Sequence, residues 1–163
     1  MKKYRDYAII TIDENIIYTN DFIESLYNSY IKSPNSIHAR CVHKIMTKKN
    51  KLLPYEKWLK EYTFEFNPSF NLFPVSEGGI LFPPNILNIS DENLKEITKC
   101  INAEDIYLKY LSRQRNIKII WVRNKYQLGL EQLNNNQVKM YALTKKNKIE
   151  KYSDACLNFF PII

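Results

Sequence analysis

Three consecutive side chains with oxygen donors, Asp13-Glu14-Asn15, follow directly on the run Tyr7-Ala8-Ile9-Ile10-Thr11-Ile12. The run is short, nearly continuous in apolar character and rich in β-branched residues, the pattern of a strand buried on both faces. Oxygen ligands just past the carboxyl end of such a strand sit where open α/β sheets bind their ligands. Alternate residues there can point at one hard divalent cation, which keeps waters and phosphate oxygens in the rest of its shell. Such a cation neutralises charge on a departing diphosphate. Asp13 and Asn15 are candidate ligands on this argument, with Glu14 between them. Taken alone, the same three residues also describe an ordinary solvated turn.

Two other groups could do chemistry. Ala103-Glu104-Asp105-Ile106 opens a helical pattern. Paired carboxylates in a first turn complement the helix dipole, and one held ionised could also draw the proton from an attacking hydroxyl as a general base. Glu77-Gly78-Gly79 precedes the apolar Ile80-Leu81-Phe82. Two glycines there permit positive φ or a close approach of backbone to ligand, and a plain turn is the simpler use of them.

The elements that must position these groups are those of a single α/β domain spanning residues 1–163. Strands near 8–12, 37–42, 79–82 and 117–122 make a mixed sheet. Phe22, Ile23, Leu26, Tyr27, Tyr30 and Ile31 recur at helical spacing behind the capping candidates Asn20 and Asp21, and Pro34 closes that helix. Ile37, Ala39 and Cys41 alternate, which puts His38 on the exposed face. Residues 44–75, with Pro54-Tyr55-Glu56-Lys57-Trp58, read as a long irregular segment, and such loops are usually functional or mobile. Helices are expected over Asp91 to Cys100 and over 103–115.

Composition narrows the partners. The net charge of +7 suits anionic ones: nucleotide phosphates, nucleic acid or an acidic membrane face. A lysine-rich surface that serves solubility gives the same balance. Lys145, Lys146, Lys148 and Lys151 form a basic patch near the end. No helix-turn-helix, zinc or RNA-binding motif is present, so a nucleic-acid partner is not expected. Cys41, Cys100 and Cys156 have no metal-ligand spacing, and their odd number argues against a disulfide framework. A reducing, cytoplasmic setting follows, with peripheral contact at the inner membrane face compatible with the charge. The polar start, Met1-Lys2-Lys3-Tyr4-Arg5-Asp6, is unlike a signal peptide, and no apolar run approaches a span of roughly 18 residues.

In their order along the chain these blocks resemble a family of bacterial GT-A glycosyltransferases. Ile9 to Tyr18 is similar to that family's metal-motif strand, which usually carries three consecutive aspartates. Pro34-Asn35-Ser36-Ile37, His43, and Leu53-Pro54-Tyr55 with Trp58 resemble its next block. Glu77-Gly78-Gly79-Ile80-Leu81-Phe82-Pro83-Pro84 resembles its Gly-Gly and Pro-Pro segment, and Ala103-Glu104-Asp105-Ile106-Tyr107-Leu108-Lys109 its second acidic motif. The resemblance implies a partial GT-A fold that uses a nucleotide-sugar donor and a glycan or lipid-linked acceptor. Its setting would be surface polysaccharide or lipopolysaccharide synthesis, by inverting single displacement. Asp13 and Asn15, with Glu14, would hold Mn2+ or Mg2+ and the diphosphate. Asp105 would be the general base with Glu104 beside it. Glu77, Gly78, Gly79, Trp58 and His43 would line the sugar and acceptor cleft.

Two departures qualify what the resemblance implies. Asn15 stands where the family has an aspartate, so the cation site loses one negative charge and should bind more weakly. The half that grips base and ribose precedes this strand in the family, and the sequence starts about one strand before the motif. A sheet without its first strands is expected to have an uncovered edge, open to a partner chain or to self-association. The alternatives are an inactive remnant or half of a split enzyme, and a basic nucleic-acid-binding protein.

Overall fold

The computed structural model describes residues 4–14, 16–98, 104–123, 130–132 and 153–163. Asn15, Cys100 and the lysines at 145, 146, 148 and 151 lie outside the described residues. The chain is a mixed α/β structure. Its elements are β1 (Ile9–Thr11), β2 (Ile16–Tyr18), α1 (Phe22–Lys32), β3 (Ile37–Ala39), β4 (Val42–Lys44), β5 (Thr47–Lys48), β6 (Lys51–Leu52), β7 (Leu72–Pro74), β8 (Ile80–Phe82), α2 (Asp91–Ile97), α3 (Glu104–Gln114), β9 (Ile119–Trp121) and β10 (Leu130–Gln132).

Four strands form the central sheet in the order β1-β8-β3-β9. β1 and β3 each run antiparallel to β8, and β3 runs parallel to β9. Register decides what the sheet can present. Thr11 lies opposite Ile80, so the residues leaving β1 meet those entering β8, and Asp13 is brought to the Gly78-Gly79 end. Beyond β9, Ser69 and Ile119 exchange both backbone hydrogen bonds, at 2.9 and 3.0 Å. The outer edge of β1 pairs with no strand among the described residues.

Both faces of the sheet are covered, which is why its strands read as continuous apolar runs. Leu81 points to one side, into a small cluster with Phe22 and Leu26 of α1 and Val122. Ile80 and Phe82 point to the other, into a larger core with Ile37, Ile119, and Ile106, Tyr107 and Leu111 of α3. Residues 153–159 are helical and add Cys156 and Leu157 to that core. The helix α2 starts with a capping box between Ser90 and Asn93. The Tyr107 hydroxyl fixes it to α3 by donating to Glu96 at 2.7 Å and accepting from Asn93 at 3.0 Å. Among the described residues no helix is long and apolar enough to cross a membrane.

Several expectations need correction. His38 is fully buried rather than exposed. Its Nδ1 lies 2.8 Å from the Ser29 hydroxyl and its Nε2 3.1 Å from the Ser33 carbonyl oxygen. A carbonyl only accepts, so Nε2 carries the proton and the neutral ring ties α1 to β3. Burial pushes its pKa below the ordinary value. Asp21 is the N-cap of α1 but makes no capping bond; its carboxylate takes the Thr19 hydroxyl and faces the Arg40 guanidinium at 4.0 Å. The 44–75 segment is free of strands over 53–71, as expected, but short strands lie on either side of that stretch. β4 pairs antiparallel with β7, and β5 with β6 across a tight turn in which Lys49 and Asn50 both have positive φ. The expected strand over 37–42 is two strands, β3 and β4, that belong to different sheets. Cys41 is a free buried thiol, whereas Cys156 is disulfide-bonded, so the odd count does not mean that bridges are absent.

Candidate functional site

The turn after β1, the tight turn before β8 and the first turn of α3 meet at one end of the β1–β8 pair. The Asp13 backbone N–H donates to the Tyr18 hydroxyl at 2.8 Å. That hydroxyl in turn donates to the Glu77 carbonyl at 3.0 Å. One residue earlier, the Ser76 backbone N–H donates to Asp105 Oδ2 at 3.2 Å. Asp13, Tyr18, Glu77, Ser76 and Asp105 are therefore joined by three hydrogen bonds and the Ser76–Glu77 peptide bond, across gaps of up to 59 residues in sequence.

The electrostatics follow from the crowding of acids. Burial raises the Asp105 carboxyl to about 6, against the bond from Ser76, and the negative charges of Glu104 and Glu77 add to the rise. Asp105 is half-buried and Glu104, Glu77 and Glu14 are exposed. Burial also raises the Tyr18 hydroxyl, with the carboxylates of Asp13 and Glu77 adding to it, so Tyr18 stays protonated and remains a donor. A carboxyl that titrates near 6 is charged for most of the time at neutral pH yet retains appreciable basicity, the balance a general base needs.

The glycines are required by packing. Gly78 is buried, and a Cβ there would overlap the backbone and Cβ of Cys41. Gly79 has φ 82°, and a Cβ there would run into the Phe22 ring. The room that each glycine leaves is thus filled by protein. Beside Gly78 the Cys41 thiol is pushed up to about 12 by burial, with Glu61 and Glu77 adding to it, and stays protonated.

Trp58 and His43 lie elsewhere. Trp58 is buried, donates its indole N–H to the Leu53 carbonyl at 2.9 Å, and packs against Tyr55 and Phe73. His43 stacks on Phe73 and accepts the Glu61 backbone N–H on Nδ1 at 3.1 Å. Burial, then the Lys60 charge, lowers its pKa to about 4, so the ring is neutral. With Tyr55 and Phe73 the two form an aromatic wedge at the β4–β7 pair.

No family model matches the chain, nor does any curated protein or solved structure.

For a cation, the donor set is sparse but suitable. Among the described residues no group of three or more His, Cys, Asp or Glu side chains forms a ready-made metal cage. A magnesium-like ion uses only one or two carboxylates when waters and substrate phosphates complete its shell. Asp13, half-buried at the strand end, and the exposed Glu14 are of that type.

Three participants escaped the sequence reading. Tyr18 lies within the motif strand, and nothing in its spacing shows that a phenol will bridge two turns. Ser76 acts through its backbone, which no side-chain pattern reports. Lys109, one turn after Asp105 on α3, is fully buried and donates to the Phe70 carbonyl at 2.8 Å. Burial, then Arg113, lowers it to about 7, and it pins the helix that carries Asp105. A separate recess of about 220 Å³, lined by Arg5, Tyr7, Phe82, Pro83 and Asn85, lies at the opposite end of the β1–β8 pair.

Proposed function

We propose that the chain is the catalytic, acceptor-side part of a GT-A-type glycosyltransferase that moves a sugar from a nucleotide-sugar donor to a glycan or lipid-linked acceptor. The observation that carries this is the hydrogen-bonded path joining Asp13, Tyr18 and Glu77, with Ser76 holding Asp105 beside it. Segments far apart in sequence, each with a chemical role in the resemblance, thereby share one end of the sheet.

Asp105 accepts the proton of the acceptor hydroxyl. As the oxygen attacks the anomeric carbon, the bond from that carbon to the donor's diphosphate breaks and the electron pair leaves with the nucleotide. A divalent cation held by Asp13, with Glu14 and Asn15 as neighbouring oxygen donors, would supply charge neutralisation for the departing diphosphate. Burial, and after it the charges of Glu104 and Glu77, raise the proton affinity of Asp105. Tyr18 keeps the Asp13 turn against the Glu77 turn, and so sets the spacing between cation and base.

The test is turnover. With Mn2+ present, UDP-, GDP- and CDP-sugars are offered singly and released nucleotide is measured, with and without a mixed glycan acceptor. Metal-dependent release is expected with one donor class, and Asp105→Asn should reduce it about 10²- to 10⁴-fold. Release that persists unchanged in Asp105→Asn would remove the base assignment. A second reading, that this part works only beside a partner chain, draws on the outer edge of β1, which pairs with no strand among the described residues. Activity that appears only on co-expression with a nucleotide-binding half would favour it.

A further inference from the structure

The helix α1 is apolar on two sides. Phe22 and Leu26 face the sheet and are 5% and 0% exposed. Ile23, Tyr27 and Ile31 recur every fourth residue on another side and are 64%, 51% and 59% exposed. A helix at the surface of a finished assembly carries polar residues outward, whereas one that is apolar on more than one side is covered. Residues four apart also form the ridge along which two helices interlock.

The polar residues beside this stripe say what covers it. Glu24, Asn28 and Lys32 run along one flank and are all exposed. Glu24 lies in the first turn and Lys32 in the last. Neither has an ion-pair partner among the described residues. The stripe is symmetric about Tyr27, and the flank is acidic at its start and basic at its end. An antiparallel copy of the same helix therefore meets it with Tyr27 against Tyr27 once on the axis, and with Ile23 against Ile31 and Glu24 against Lys32, each made twice. That is the self-complementarity of an isologous interface.

We propose that α1 pairs with α1 of a second copy of the chain, antiparallel about a two-fold axis near Tyr27. The surface is distinct from the open edge of β1, and the pairing does not depend on the catalytic reading.

The full chain is tested by sedimentation velocity over a wide concentration range. A reversible monomer–dimer equilibrium is expected. Tyr27→Glu should weaken it about a hundredfold or more by placing two charges on the axis. Glu24→Lys and Lys32→Glu, each of which turns two attractive contacts into repulsive ones, should each weaken it about tenfold. The double variant, Glu24→Lys with Lys32→Glu, should return to within about threefold of the starting affinity. The charge variants change only exposed side chains, so they keep the test decisive even if Tyr27→Glu fails to fold. A chain that is monomeric throughout would overturn the proposal. So would a dimer insensitive to Tyr27→Glu, or a double variant no tighter than the single ones.

Discussion

Asp105 and His43 are both moved by burial, in opposite senses and with different consequences. Asp105 is raised to about 6 at the rim of an acidic, hydrogen-bonded turn cluster. His43 is lowered to about 4 inside an aromatic wedge. The first remains able to exchange a proton close to neutral pH, while the second is fixed as a neutral hydrogen-bond acceptor. Burial alone therefore does not mark a working group. What differs is the company each keeps: carboxylates and turns in one region, rings and a backbone amide in the other.

The largest effect should come from the wedge. Trp58→Ala removes a buried indole that packs on Tyr55 and Phe73, and should cost about 3–5 kcal/mol in urea unfolding. At the turn cluster, Gly79→Ala forces a side chain into the Phe22 ring at φ 82°. It should cost about 1–3 kcal/mol. A cost near zero would mean that this turn can rearrange, and would loosen the argument for a fixed site.

Of similar size is the pH dependence, where the two regions oppose each other. Asp105, with its folded value above its unfolded one, contributes stability that is full below about pH 4 and is lost as pH rises through about 6. His43, with its folded value below its unfolded one, contributes stability that is full above about pH 6.5 and is lost as pH falls through about 4. His38, also lowered, adds to the His43 slope. Each value implies on the order of 3 kcal/mol at most, since one pKa unit is about 1.4 kcal/mol. The native protein should thus show a shallow profile between about pH 4 and 6. Asp105→Asn should expose a steep loss toward acid, and His43→Gln a loss toward neutral. Parallel profiles for both variants would contradict the assignment. The smallest effect is expected at Tyr18→Phe, which removes one donor between two turns and should cost about 1 kcal/mol.

How much of this was legible in the sequence depended on whether a residue's role was local. β8 could be read from Ile80-Leu81-Phe82, because a strand covered on both faces is apolar at every position. α3 could be read from its spacing and its acidic first turn. The same two-sided cover misled at His38: alternation implies an exposed face, but Ile37, His38 and Ala39 are all buried. β7 was hidden because its partner, β4, is distant in sequence and it ends on Pro74. The six apolar residues of α1 were visible as a helix. Their division into an inner face and an exposed stripe was not, because spacing alone does not say which side meets the sheet. At the site, the sequence offered Asp13, Glu77 and Asp105 as three separate turns. Tyr18 and the Ser76 amide, which join them, act through contacts that no local pattern encodes.

The most direct test of the central claim is calorimetric titration of the chain with UDP-, GDP- and CDP-sugars in Mn2+. Heat of binding is expected for at least one donor class, lost on chelation of the metal and lost in Asp13→Ala. Absence of binding by every donor, or binding unchanged by Asp13→Ala, would contradict it.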